Sequence, residues 1–167
     1  MIKINQALGY MSQAFMAAEQ SHANDLKVGA LLIRPMEDGR HIPLSNGYNG
    51  TAPGECNSCE CVDGESFGPD VVIHAEINSF NKLKEGEADG ATIFVTRSPC
   101  MSCCIREDIP NIVTSGIKAV YYCEEHRDES PLEYLRSKGI DVINIPKSDV
   151  LDYVRIVAER LTKDKFN

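Results

Sequence analysis

No stretch of this 167-residue chain is apolar for long enough to cross a bilayer as a helix. Its first residues, Met1-Ile2-Lys3-Ile4-Asn5-Gln6, lack the apolar core of a secretory leader. Together these point to a cytoplasmic protein with no membrane partner, or one of the host cytoplasm if the gene is viral. Positive charge is also scarce: 17 Lys and Arg stand against 25 Asp and Glu, a formal net charge of −8. That balance argues against a nucleic-acid polymer as partner, because such binders carry a basic footprint that displaces counterions. An anionic small molecule stays open, since one phosphate needs only one or two local donors. Aromatics make up 7% of the chain and tryptophan is absent, so few stacking platforms for a polynucleotide are available. There is no internal repeat and no low-complexity segment.

What remains is the composition of an ordinary globular domain, 43% hydrophobic and 25% charged. The length predicts one domain over residues 1–167, with a Cys-rich loop at about 51–70. Seven cysteines is an odd number, and they are clustered. Without a leader, such clustering favours metal ligation over a disulfide framework.

Hydrophobic periodicity predicts a helix over 4–20, a hairpin of strands over 28–33 and 40–46, and a helix over 74–84. A strand over 91–96 follows, then a helix from Pro99 to about Ser115 that Pro110 kinks or divides. The rest reads as strand 119–123, helix 131–138, strand 140–145 and a final helix capped by Ser148, with Val150, Val154, Val157 and Leu161 on one face. The last three strands alternate with helices and should therefore run parallel through right-handed crossovers. The expected fold is α/β, a three-layer α-β-α sandwich around a five-stranded mixed sheet.

Two short stretches carry the chemistry: His74-Ala75-Glu76 and Pro99-Cys100-Met101-Ser102-Cys103. A helix starting at Pro99 puts Cys100 and Cys103 in its first turn, where unpaired N–H groups stabilise thiolates. With His74 they offer three ligands to one Zn2+, leaving the fourth tetrahedral position open as catalytic sites do. Glu76 is then placed to move protons while an activated water attacks an amino-substituted heteroaromatic carbon and ammonia leaves. The competing reading is a closed structural zinc site in which Cys104, at i+4 from Cys100, is the fourth ligand. Such a site has no use for Glu76, and Cys104 reads as a small buried hydrophobe. Cys56, Cys59 and Cys61 form a second cluster, either a structural Zn2+ site without an evident fourth ligand or reduced thiols in a loop. His22 and His41 are expected at the surface and join that site only if the fold brings them near.

These motifs resemble those of the cytidine deaminase superfamily, and within it the deoxycytidylate (dCMP) deaminases. The resemblance runs from about residue 5 to 147, through Val28-Gly29-Ala30, Gly47-Tyr48-Asn49-Gly50-Thr51, His74-Ala75-Glu76-Ile77-Asn78, Val95-Thr96-Arg97-Ser98-Pro99-Cys100 and Ser115-Gly116-Ile117-Lys118. It implies zinc-dependent conversion of dCMP to dUMP and ammonia, feeding thymidylate synthesis. It also implies a homo-oligomer, commonly a hexamer, activated by dCTP and inhibited by dTTP, with Mg2+ accompanying the effector. By the same match Asn49 holds the deoxyribose hydroxyl, or is simply a turn residue, and Ala75 presents backbone groups to the pyrimidine. Arg97 stands where the family usually has an apolar residue; it either reaches the substrate phosphate or is solvated. His126 stands where many relatives have a tyrosine; it either stacks on the base or belongs to the solvated run Glu124 to Asp128. The alternatives are a deaminase of dCTP, cytidine, cytosine or guanine, a polynucleotide-editing deaminase, or a non-catalytic zinc and nucleotide-binding module.

Overall fold

The computed structural model describes residues 2–55, 57, 59 and 72–163. Helix α1 (Ile4–Ala18) leads into β1 (Gly29–Pro35) and β2 (His41–Tyr48), which form the expected antiparallel hairpin. Then come α2 (Ala75–Phe80), β3 (Thr92–Arg97), α3 (Met101–Ile105), β4 (Ala119–Glu124), α4 (Ser130–Ser137), β5 (Asp141–Asn144) and α5 (Lys147–Lys163). The sheet order is β2-β1-β3-β4-β5; β1 is antiparallel to both neighbours, while β3, β4 and β5 run parallel. This is the five-stranded mixed sheet read from the sequence.

Strand alternation divides the core between the two faces. Leu31, Ile33 and Phe94 turn toward Ala7, Met11 and Ala14 of α1 and Val150 of α5, with Phe94 stacked on Tyr121 at 4.6 Å between centroids. Ala30, Leu32, Ile93, Val95 and Val120 turn the other way, toward Ala75 and Phe80 of α2, Cys104 of α3, and Leu132 and Leu135 of α4. Because β1 and β3 are covered on both sides, they read in the sequence as unbroken apolar runs. The β2–α2 contact depends on Gly47, where an added Cβ would lie 2.2 Å from Ala75 O and 2.5 Å from Ser79 N.

Three helices differ from expectation. α2 stops at Phe80 instead of running to residue 84, because turns take over: the Glu87 carboxylate accepts from Lys84 N–H at 2.8 Å, and Gly86 and Gly90 take φ of 80° and 74°. α3 ends at Ile105 rather than near Ser115. Pro110 cannot donate, and the fully buried Asn111 replaces the helical hydrogen bonds. Its Nδ2 donates to Arg106 O at 2.8 Å, and its Oδ1 accepts from Val113 N–H and Thr114 N–H at 3.0 and 2.9 Å. α5 begins at Lys147, so Ser148 lies inside it rather than capping it. Of its expected apolar face only Val150 is buried, and Leu161 is 62% exposed. Among the described residues no helix is long and apolar enough to cross a membrane.

Candidate active site

Both catalytic motifs sit where a helix begins. His74 is the N-cap of α2 (φ −69°, ψ 156°), and Cys100 is the N-cap of α3 (φ −83°, ψ 169°). Helix α3 thus starts two residues after Pro99, and Cys103 falls at its third helical position, its N–H donating to Cys100 O at 3.1 Å. The two cysteines share one turn, as the spacing requires.

His74 Nδ1 lies 3.3 Å from Cys100 Sγ and 3.3 Å from Cys103 Sγ, and the two sulfurs are 3.7 Å apart. A tetrahedral zinc with ordinary bond lengths needs S···S edges of about 3.8 Å and N···S edges of about 3.6 Å. The donor set and its dimensions therefore fit a zinc ion held by three protein ligands. No fourth protein ligand joins this cluster among the described residues. Cys104 is fully buried beside it, and burial pushes its thiol up to about 12. It behaves as the buried thiol that the sequence indicated.

The charges of the cluster follow from shared hydrogen bonds. The bond with Cys103 holds the Cys100 thiol down to about 3, with help from His74 and the Ser102 hydroxyl. The same bond, and burial, push Cys103 far up, so that it keeps its proton. His74 is raised above its ordinary value by its hydrogen bond to Cys100, against the opposing effect of burial. Zinc needs both sulfurs as thiolates and the imidazole neutral. A raised group keeps its proton up to a higher pH, so uptake must displace the Cys103 proton and, below the raised His74 value, a second one. Zinc affinity is thus expected to rise with pH by roughly tenfold per unit for each displaced proton. Competition with a chelator at pH 6, 7 and 8 measures this, and a pH-independent affinity would contradict the assignment.

Glu76, in the first turn of α2, is 3% exposed. Burial raises its carboxyl above the ordinary range, while the backbone, His74 and Cys103 pull it back down. A cavity of about 260 Å³ opens beside it, lined by His74, Glu76 and Cys100 together with Asn49, Ala75, Arg97 and His126. All the residues read from the zinc motif and its loop therefore line this cavity, except Cys103, which completes the cluster from behind.

Asn49 has more to do than the sequence indicated. Its Oδ1 accepts from Val28 N–H at 2.8 Å and its Nδ2 donates to Leu26 O at 2.8 Å, which pins the 26–28 segment as one wall of the cavity. One amide N–H and one lone pair remain available to a ligand hydroxyl. Ser98 went unremarked except as part of the Ser-Pro-Cys motif. It is buried, and its Oγ accepts from His126 N–H at 2.7 Å, which fixes His126 at the cavity. His22 is exposed and His41 is bonded to Tyr10 Oη at 2.9 Å, and neither belongs to the His74, Cys100 and Cys103 group. Cys59 lines the cavity; Cys56 and Cys61, the rest of the expected second metal cluster, lie outside the described residues.

Residues 4–124 match the family described as the cytidine and deoxycytidylate deaminase zinc-binding region. The chain is 30% identical to the deoxycytidylate deaminase of Enterobacteria phage T4, over 82% of this chain and 88% of that protein. It is 34% identical to ComE operon protein 2 of Bacillus subtilis, over 85% and 72% of the two chains. Its fold matches the crystal structure of dCMP deaminase from cyanophage S-TIM5 in complex with dCMP and dUMP. The TM-score is 0.72 at 32% identity, over 87% of this chain and all of that one.

Proposed function

Because the chain belongs to the cytidine and deoxycytidylate deaminase family, we propose that it converts dCMP and water to dUMP and ammonia, supplying dUMP for thymidylate synthesis. The observation that carries this is the buried carboxyl of Glu76 on the first turn of α2, beside a three-ligand metal cluster that opens onto a small cavity. His74, Cys100 and Cys103 would hold a zinc ion, which when bound would supply Lewis acidity at that opening.

The chain's own residues do the rest. Glu76 takes the proton from the attacking water, passes it to the ring nitrogen, and later delivers a proton to the departing amine. A carboxyl whose proton affinity is raised by burial suits both roles, since it takes up a proton more readily than a solvated carboxylate and can hand it on. The water oxygen becomes the new carbonyl as the carbon–nitrogen bond breaks, so the reaction is balanced by water alone. The spare N–H and lone pair of Asn49 bind the sugar hydroxyl, and the backbone of Ala75 meets the pyrimidine edge. On the resemblance the proposal extends to a homo-oligomer, commonly a hexamer, and on the sequence reading to the cytoplasm. On the resemblance it is activated by dCTP and inhibited by dTTP with Mg2+, and a second, structural Zn2+ is bound through Cys56, Cys59 and Cys61.

The test is ammonia release from dCMP, dCTP, cytidine, cytosine and guanine at equal concentration. dCMP is expected to have the highest kcat/KM. Preference for a substrate without phosphate would overturn the assignment.

A further inference from the structure

Arg97 ends β3, and its Cα pairs across the parallel register with Glu124 at the end of β4. The turns that follow the two strands are stitched together: Ser98 N–H donates to Glu124 O at 2.8 Å, and His126 N–H donates to Ser98 Oγ at 2.7 Å. Arg97 and His126 therefore reach the cavity from adjoining strand ends. His126 Nδ1 accepts from Asp128 N–H at 3.2 Å. In the neutral ring this places the proton on Nε2, leaving an N–H donor on the ring.

Arg97 Nε is buried and has no hydrogen-bond partner among the described residues. In a chain with 25 acidic residues that is unexpected for an arginine, whose charged donors are costly to leave unpaired. The nearest register partner, Glu124, pairs instead with Lys147, and Arg97 forms no ion pair among the described residues. The Nε–H lies on the edge of the guanidinium that grips two oxygens of one anion. A solvated surface arginine would not bury that edge.

We infer that Arg97, flanked by His126, is the phosphate-recognising end of the cavity and selects substrates with a single 5′-phosphate. Arg97 is the only permanent cation among the described lining residues, and the cavity also carries the carboxyls of Asp25 and Glu76. One phosphate is matched by one guanidinium fork; the additional charges of a triphosphate meet no further cation there. The inference rests on the deaminase reading for its turnover arm, and its binding arm stands apart from turnover.

The experiment compares the wild type with Arg97→Leu and Arg97→Lys, with zinc content checked in each. Turnover is measured on dCMP, deoxycytidine and dCTP, and binding by calorimetry with dUMP and deoxyuridine. The wild type should prefer dCMP to both other substrates and bind dUMP more tightly than deoxyuridine. In Arg97→Leu the dCMP-to-deoxycytidine ratio of kcat/KM should fall roughly 10²-fold, through KM, and the preference for dUMP over deoxyuridine should fall by a similar factor. Arg97→Lys, which keeps the charge and loses the fork, should fall between; it carries the comparison if the leucine variant does not take up zinc. Equal losses on dCMP and deoxycytidine through kcat would make Arg97 a structural support and overturn the inference. So would unchanged ratios, or a wild type that binds dUMP and deoxyuridine alike or prefers dCTP. A protein that turns over none of these substrates but needs Arg97 to prefer dUMP would instead sink the deaminase reading and leave this one standing.

Discussion

Replacing Glu76 by Gln is expected to leave zinc in place and lower kcat for dCMP by roughly 10³-fold, within the range for loss of a positioned general acid–base group. The amide has nearly the shape of the carboxyl, and Glu76 is not one of the three proposed ligands His74, Cys100 and Cys103, so the cluster keeps its three donors. What is lost is the ability to take a proton from water and hand it on. The fold should not suffer, because the side chain is 3% exposed and burial already disfavours its charge. KM should move little, since the shuttle acts on the barrier and not on ground-state binding. Zinc content by atomic emission, thermal melting and steady-state ammonia release check the three parts. Undiminished turnover would remove Glu76 from the mechanism, and loss of zinc would make it a metal-positioning residue. A wild type that binds zinc and nucleotide without turnover would point to the non-catalytic module.

The zinc cluster was legible in the sequence because its chemistry is local. His74 and Glu76 occupy one helix start, Cys100 and Cys103 another, and each spacing survives small errors in where the helix begins. That tolerance explains why His74, Cys100 and Cys103 come together although α3 starts after Cys100 rather than at Pro99. The hairpin and the parallel run of the last three strands were legible too, the first from two short strand segments around a turn and the second from strands alternating with helices. The extent of α2 and α3 was not. Periodicity reports which residues face the core, and it continues through turns such as the one Asn111 builds with its side chain. The double role of Asn49 was hidden for a different reason. Its partners, Leu26 O and Val28 N–H, are more than twenty residues away in the chain, and only the fold brings them to the amide. Arg97 was ambiguous because burial of a single nitrogen decides between a solvated side chain and a waiting donor, and no sequence pattern reports that.

A substitution outside the cavity lining should harm stability, zinc retention and turnover together. Gly47 is buried in β2, and the Cβ of an alanine there would lie 2.2 Å from Ala75 O, 2.5 Å from Ser79 N and 3.0 Å from Asn78 C. All three are backbone atoms of α2, so no side-chain rotation relieves the clash. The helix is also tethered to the same strand, with Asn78 Nδ2 donating to Tyr48 O and Ser45 Oγ to Ser79 O, both at 2.8 Å. Gly47→Ala must therefore shift α2 by on the order of 1 Å while straining those bonds, a destabilisation of about 1–3 kcal/mol for overpacking and more if the tethers break. His74 caps that helix and Glu76 rides on its first turn, so the shift reaches the metal cluster and the proton shuttle together. Displacements of this size cost roughly 10²-fold in rate. The expected result is a lower melting temperature, weaker zinc retention against a chelator and a fall in kcat, all in one variant. Glu76→Gln should show only the last of these, which separates a misplaced helix from a missing proton carrier. A Gly47→Ala protein with wild-type melting and full zinc would mean that the strand and helix can part without disturbing the site.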